Sequence, residues 1–353
     1  MIRLPAEPRR VLIVKPSALG DIVHALPVLN LLRQRFPAAE ISWLAAPAFA
    51  PLLEGHPQVD RVWRFDRGRR GGSLGEMFRT WQSVQSLQTQ LRRHRFDLVI
   101  DLQGLFRSGW LTFQTLAPAR VGFVYAREAA SIFYTHKVRS RGTERHAIER
   151  YLDVAEELGC GRGPVRFEFG IGDAVRAAAA AKVGDGPYAL LFPGTNWQTK
   201  RWPTEYFAAL AERIEAERGV RCVFAGGKAD GAWAPPGDRF RNLCGATSIK
   251  ELVALIERAA VVVSPDSAPM HIAAALGRPL VSLLGPTNPV RTGPYRRMDT
   301  VLRLDIACSP CYRRACSHHS CMRWLEPGKA LAEVDRRIAA KSDKNDQHPS
   351  SRT

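Results

Sequence analysis

Apolar positions along this chain follow two alternating rhythms. VLIV at 11–14 and ISWLAA at 41–46 are short apolar runs of the kind that form buried strands. Between them Ile22, Val23, Ala25, Leu26, Val28, Leu29, Leu32 and Phe36 recur at helical spacing, and Pro37 ends that helix. RVWRF (61–65) and DLVIDLQ (97–103) predict two further strands, with a helical stretch near 74–94 between them. The second half restarts the pattern. YALLFPG (188–194), RCVFAGG (221–227), AVVVSPD (260–266) and PLVSLLG (279–285) read as strands. Helices are predicted over 203–218, 248–259 and 267–276. Pro203 and Gly219 bracket the first of these, and Ser248 with Glu251 has capping-box spacing. Strands alternating with helices predict an α/β chain with parallel sheets, helices on both faces and right-handed crossovers.

Gly, Ala and Pro gather between 160 and 187, so the boundary is placed there: one domain over 1–165 and a second over 166–340. A length of 353 residues suits two domains. The polar stretch 341–353 is predicted to be disordered. In doubly wound sheets ligands sit outside the carboxyl ends of the strands. The loops to inspect are therefore 15–21, 193–202, 225–231, 264–271 and 285–294, around a cleft expected between the domains.

Composition narrows the partner. Apolar residues make up 45% and charged residues 24%, the usage of a globular protein rather than a disordered or collagenous one. Fifty-one Lys and Arg against thirty-four Asp and Glu leave +17. An anionic partner is implied: nucleic acid, a phosphorylated substrate or a membrane surface. Apolar runs fall short of the ~18–20 residues that span a bilayer and of a secretory signal. The chain is read as cytoplasmic, with any membrane contact peripheral. Arg61, Arg64, Arg67, Arg69, Arg70 and Arg79 form one basic cluster, and Lys137, Arg139, Arg141, Arg145 and Arg150 another. Neither carries a nucleic-acid motif.

Three loops carry candidate chemistry. KPSALGD (15–21) lacks a dinucleotide or P-loop glycine pattern. Asp21 there is either an N-cap or a carboxylate able to take a proton from an acceptor hydroxyl. PGTNWQTKRWP (193–203) sets hydroxyls, an amide and adjacent cations before a helix N-terminus. That is a phosphate site or a solvated basic loop. SPDSAPMH (264–271) enters the small-residue helix IAAALG. Asp266 and Ser267 sit where a sugar or pyrophosphate would meet the helix, or simply cap it. Cys308, Cys311, Cys316 and Cys321 lie within fourteen residues, with His318 and His319 among them. They are a packed reduced loop or a structural metal site.

Taken together, VLIVKPSALGDIVHALPVL, DLQGLFRSG, YAREAASIFY, HAIER, SPDSAPMHIAAALGRP and GPTNP resemble glycosyltransferase family nine, the lipopolysaccharide heptosyltransferases, from about residue 10 to 325. The middle segments are more similar to heptosyltransferase I. PGTNWQTKRWP and the cysteine segment are more similar to heptosyltransferase II. The resemblance implies a GT-B architecture: two Rossmann-like domains, the first binding the lipid acceptor and the second ADP-heptose. It implies an inverting, metal-independent transfer with no cofactor, from ADP-heptose to Kdo2-lipid A or its heptosylated form, on the cytoplasmic face of the inner membrane. Asp21 matches the general base. Thr195, Asn196, Lys200, Thr247, Asp266, Ser267, Ala268 and His271 match donor positions, and Arg127 and Arg150 match acceptor positions. Ala268 replaces the family's usual glycine, Pro269 has no N–H to donate, and Asp230 is the nearest carboxylate to an expected acidic position. The alternatives are another nucleotide-sugar or acceptor, a basic nucleic-acid-binding protein, and a non-catalytic ADP-sugar-binding protein.

Overall fold

The computed structural model describes residues 1–66, 73–142 and 144–346, divided into two units, Met1–Gly170 and Ile171–Thr353. Of the first basic cluster, Arg67, Arg69 and Arg70 lie outside the described residues.

The first unit runs β1 (Arg10–Val14), α1 (Leu19–Arg35), β2 (Glu40–Ala45), α2 (Ala50–Leu53), β3 (Arg61–Arg64), α3 (Leu74–His94), β4 (Leu98–Asp101), α4 (Phe106–Gln114), β5 (Ala119–Phe123), β6 (His136–Val138) and α5 (Ala147–Glu157). The six strands are parallel in the order β3-β2-β1-β4-β5-β6. Val14 pairs with Leu44 on one side and Asp101 on the other, which fixes the register at the ends of the central strands. Helices α1 and α5 pack on each other. Leu12, Val14, Trp63, Leu91, Phe96 and Leu111 form a core between the sheet and α3 and α4. The two-sided burial explains why the central strands read as continuous apolar runs.

The second unit runs α6 (Asp173–Val183), β7 (Tyr188–Leu191), α7 (Thr204–Arg218), β8 (Arg221–Phe224), β9 (Arg241–Asn242), α8 (Ile249–Arg258), β10 (Val261–Pro265), α9 (Ala268–Ala275), β11 (Leu280–Leu283), α10 (Pro289–Thr292), β12 (Val301–Leu302), α11 (Ser320–Arg323) and α12 (Pro327–Asp346). Its parallel sheet has the order β12-β11-β10-β7-β8-β9. Renumbered from its own first strand, this is the same 3-2-1-4-5-6 winding as the first unit, the doubly wound order of dinucleotide-binding sheets.

The α/β class and the tandem parallel sheets are as expected from the sequence. Elements α4, β5, β6 and α5 go beyond the strands and helices predicted, and two segments differ from their reading. Residues 173–183 fall in the Gly/Ala/Pro stretch taken as the boundary, yet they form α6, which packs on α8. DAVRAAAAAKV has excellent intrinsic helix propensity, but alanine gives little contrast between a buried and an exposed face. The segment 341–353, expected to be disordered, begins as the last turns of α12, through Asp346; residues 347–353 lie outside the described residues. The helix is anchored upstream, where Leu331 and Val334 are buried in the second core. Among the described residues no helix is long and apolar enough to cross a membrane.

Candidate functional site

In each unit the strand order reverses between its first and fourth strands, and the loops leaving those two strands form the crevice where ligands bind in such sheets. In the first unit these loops follow Val14 and Asp101. Lys15 is 3% exposed. Its Nζ donates to the Leu102 carbonyl at 3.1 Å, lies 5.1 Å above the Tyr151 ring and is 3.9 Å from Asp21 Oδ2. Burial alone would lower its pKa. The Tyr151 phenol and the carboxylates of Asp21 and Asp101 outweigh that, and it stands above the ordinary lysine value.

Asp101 is fully buried. One oxygen accepts the N–H groups of Gln103 and Gly104, and the other accepts the Tyr134 hydroxyl at 2.7 Å. Burial pushes its pKa up against those bonds. Its lone pairs are committed, so it is a structural carboxylate.

Asp21 is different. It is not the N-cap that one reading of the loop expects: Ala18 holds that position, and Asp21, third in α1, accepts the Ala18 N–H at 3.1 Å. Its side chain is 43% exposed. The same carboxylate therefore closes the first turn and faces open space. One turn on, His24 meets His146 edge-to-face at 5.0 Å, where α1 packs on α5. Arg150 lies one turn past His146, its guanidinium 5.7 Å from the Phe123 ring centroid. Its buried Nε has no hydrogen-bond partner among the described residues. Arg127 is exposed, fixed through its backbone N–H to Gly104 O at 2.8 Å.

In the second unit the loops follow Leu191 and Pro265. Thr195, half-buried, and exposed Asn196 lead into a 3-10 turn, Gln198–Lys200. That turn aims Lys200 at Asp266, Nζ to Oδ2 2.8 Å, with the two side chains 15% and 5% exposed. Thr287 donates to the same oxygen at 2.6 Å. His271 Nε2 stands 3.9 Å from the other. The Trp197 ring lies between two cations, Lys200 Nζ 4.5 Å and Arg314 Cζ 4.8 Å from its centroid.

Ser267 occupies the N-cap of α9 without a side-chain capping bond. Ala268 opens the helix and Pro269 takes its second position, where a missing N–H costs no helical bond. The same proline removes one N–H donor from the positive end of the helix. Thr247 is half-buried just before the Ser248 cap of α8, two residues past Gly245, whose N–H bonds Gly226 O. Asp230 accepts the Gly227 N–H at 2.8 Å. A Cβ on Gly194 would lie 2.0 Å from its Cγ, and one on Gly226 2.7 Å from its Oδ2.

All seven cysteines are free. Cys308, Cys311, Cys316 and Cys321 line one cavity of about 190 Å³ with His318, His319 and Thr199. Among the described residues no group of three or more His, Cys, Asp or Glu side chains is arranged to hold a metal ion. Burial, together with the three neighbouring thiols, pushes the Cys321 thiol up to about 11. The segment has a legible mechanical role. Thr199 Oγ1 donates to Arg313 O, His319 Nε2 lies 2.7 Å from Thr199 O, Ser309 Oγ donates to Gly285 O, and the Cys311 and Tyr312 N–H groups both reach Pro286 O. The cysteine-rich stretch thus ties the 193–203 loop to the 285–289 turn.

The family model "Glycosyltransferase family 9 (heptosyltransferase)" matches residues 84–322. Lipopolysaccharide heptosyltransferase 1 of Pseudomonas aeruginosa is 31% identical over 316 residues, 88% of each chain. The chain belongs to glycosyltransferase family 9. Among solved structures, E. coli ADP-heptose lps heptosyltransferase II is similar to this family 9 chain with a TM-score of 0.74 at 23% identity, over 94% of this chain and 99% of that one. E. coli heptosyltransferase WaaC with ADP-2-deoxy-2-fluoro heptose gives 0.67 at 25%, over 94% and 99%. The structure adds groups to which the sequence assigned no role: buried Lys15 and Asp101 around the first loop, Thr287 on Asp266, and the Arg313–His319 clamp. Lys15, Thr287 and His319 lie in segments that the sequence singled out, whereas Asp101 and Arg313 carried no signal.

Proposed function

We propose that this family 9 glycosyltransferase moves heptose from ADP-heptose to the Kdo/heptose inner core of lipopolysaccharide, with inversion, at the cytoplasmic face of the inner membrane. The first unit holds the acceptor and the second the donor. Asp21 takes the proton from the attacking acceptor hydroxyl as that oxygen bonds the anomeric carbon. The C–O bond to the diphosphate breaks on the opposite side, and ADP leaves carrying the charge. Lys200 and the N-terminal end of α9 stabilise that charge. Thr195 and Asn196 offer hydrogen bonds to the phosphates or sugar, and Thr247 lies toward the nucleotide. Arg127 and Arg150 pair with anionic groups of the acceptor; the unpartnered Nε of Arg150 supports this assignment.

The observation that carries the reading is the buried Lys200–Asp266–Thr287 triad at the carboxyl edge of the second sheet. It aims a cation at a place where doubly wound sheets bind diphosphates. The test is transfer followed by mass spectrometry, with ADP-heptose and either heptose-free Kdo2-lipid A or its mono-heptosylated form. One heptose added to one acceptor is the expected result and separates first from second transfer. Absence of product on both acceptors, with ADP binding intact, would overturn the donor or acceptor assignment.

A further inference from the structure

Apolar side chains are exposed on the first unit in a pattern that the transfer chemistry does not use. Phe106 and Phe113 lie seven residues apart on one face of α4, 48% and 42% exposed. Phe133 of the 3-10 helix Ala130–Phe133 joins them, with ring centroids 5.2 and 6.0 Å away. Ile132 beside it is 65% exposed, and Leu116, just past α4, is 60% exposed. Gly109 allows the two helices this close: a Cβ there would lie 2.8 Å from the Phe133 ring. The result is a fixed ridge rather than scattered exposed residues.

Charge along the segment that carries the ridge is one-sided, although Arg141 at its end pairs with Glu156. Residues 102–142 contain Arg107, Arg120, Arg127, Lys137, Arg139 and Arg141 and a single acid, Glu128. Arg120 lies over the Phe113 ring at 5.5 Å, and Arg139 donates to the Tyr125 hydroxyl, on a ring 50% exposed. Exposed aromatic and aliphatic side chains with a cationic surround match the headgroup boundary of an anionic bilayer. Apolar groups enter the acyl edge there, and Arg and Lys meet phosphates. The ridge is also tied to the acceptor loop. The Phe106 N–H donates to Glu128 Oε2 at 3.2 Å, next to Arg127.

We propose that the α4/3-10 ridge is the surface by which this protein docks on anionic phospholipid bilayers. Docking there holds the Arg127 loop at headgroup level, where a lipid-anchored sugar acceptor presents its polar head. The inference rests on the acceptor reading above and names the surface that serves it.

The experiment uses the full chain and a Phe106→Ser, Leu116→Asn, Ile132→Gln variant. Asn suits position 116, whose φ of 57° lies in the left-handed region. Wild type should sediment with phosphatidylethanolamine–phosphatidylglycerol vesicles and much less with phosphatidylcholine vesicles. The variant should bind the former about tenfold or more weakly. Its melting temperature and its transfer to a de-acylated, water-soluble acceptor should be unchanged. Equal vesicle binding by the two proteins would overturn the ridge while leaving the transfer reading standing. Loss of transfer to the soluble acceptor by wild type would overturn that reading, independently of the ridge. Failure of wild type to bind vesicles, with self-association that the substitutions abolish, would reassign the ridge to a second copy of this chain.

Discussion

The two units share one winding and place a lysine and an aspartate at the same topological point, but they treat the pair in opposite ways. In the first unit Lys15 follows β1 and Asp101 ends β4. Both are sealed, and Leu102 O, Tyr134 and Tyr151 surround them. In the second unit Lys200 is delivered by a longer loop after β7 and meets Asp266 just past β10, and the cation keeps some exposure. The sealed pair stabilises its loop. Under the proposed function, the reachable pair is the one placed to exchange a carboxylate for a ligand phosphate. The same winding thus carries a sealed lysine and a part-exposed one, and the difference lies in loop length and in the tyrosines that cover the first.

Five experiments would break or sharpen this contrast. The largest effect belongs to Asp21, the exposed carboxylate beside the sealed pair. Asp21→Asn should lower kcat by roughly 10²–10⁴-fold and leave ADP affinity, measured by calorimetry, as in wild type. Wild-type turnover would remove the base from the first unit.

Next comes the sealed pair. Lys15→Met removes the buried ammonium that donates to Leu102 O and should cost about 1–3 kcal/mol in urea unfolding, with ADP affinity unchanged. A stable variant that had lost ADP binding would invert the comparison.

Lys200→Met should lower kcat/KM about a hundredfold and also cost stability, because it strips the 2.8 Å ion pair from buried Asp266. Thr287→Val, which removes the hydroxyl that steadies Asp266, should cost about 1 kcal/mol, read as a modest fall in kcat/KM.

The smallest effect is alkaline. Burial raises three thiols in the second unit, with Cys321 at about 11, Cys244 at about 12 and Cys222 higher still. In the first unit it raises Cys160, to about 11. The folded protein holds these protons more tightly than the unfolded chain. Their stabilisation is therefore full below pH 9 and is lost as pH rises toward 11. Hydrogen exchange across that window should show the second unit opening first. Simultaneous opening of both units would contradict the assignment of these thiols.

Periodicity made the central strands legible, because each is covered on both faces and reads as an unbroken apolar run. The edge strands β9 and β12 have only two residues each and left no signal. Helix α6 was hidden by its own alanines. At the candidate site, Lys200 and Asp266 could be found because they sit in loops between recognisable elements, and Asp21 because it lies in the first turn of a helix that the periodicity predicts. Lys15 and Asp101 could not. One looks like a loop cation and the other like the end of a strand, and only the fold brings them under Tyr134 and Tyr151. The cysteine spacing left a packed reduced loop and a structural metal site both open, and only the fold shows the bonds to Thr199, Gly285 and Pro286 that make the stretch a brace.

Gly194, Gly226 and Asp230 form an interlock with an evolutionary consequence. The aspartate fills the room that a Cβ on Gly194 would need, and Gly226, which Asp230 also crowds, has a backbone φ of 154° that itself disfavours any side chain. Shortening position 230 first removes the acceptor for the Gly227 N–H and loosens the turn. Each single step is unfavourable, while the paired change at 194 and 230 need not be. The entry of the 193–203 loop is therefore buffered against drift, and a library meant to vary that loop should change positions 194 and 230 together and keep Gly226.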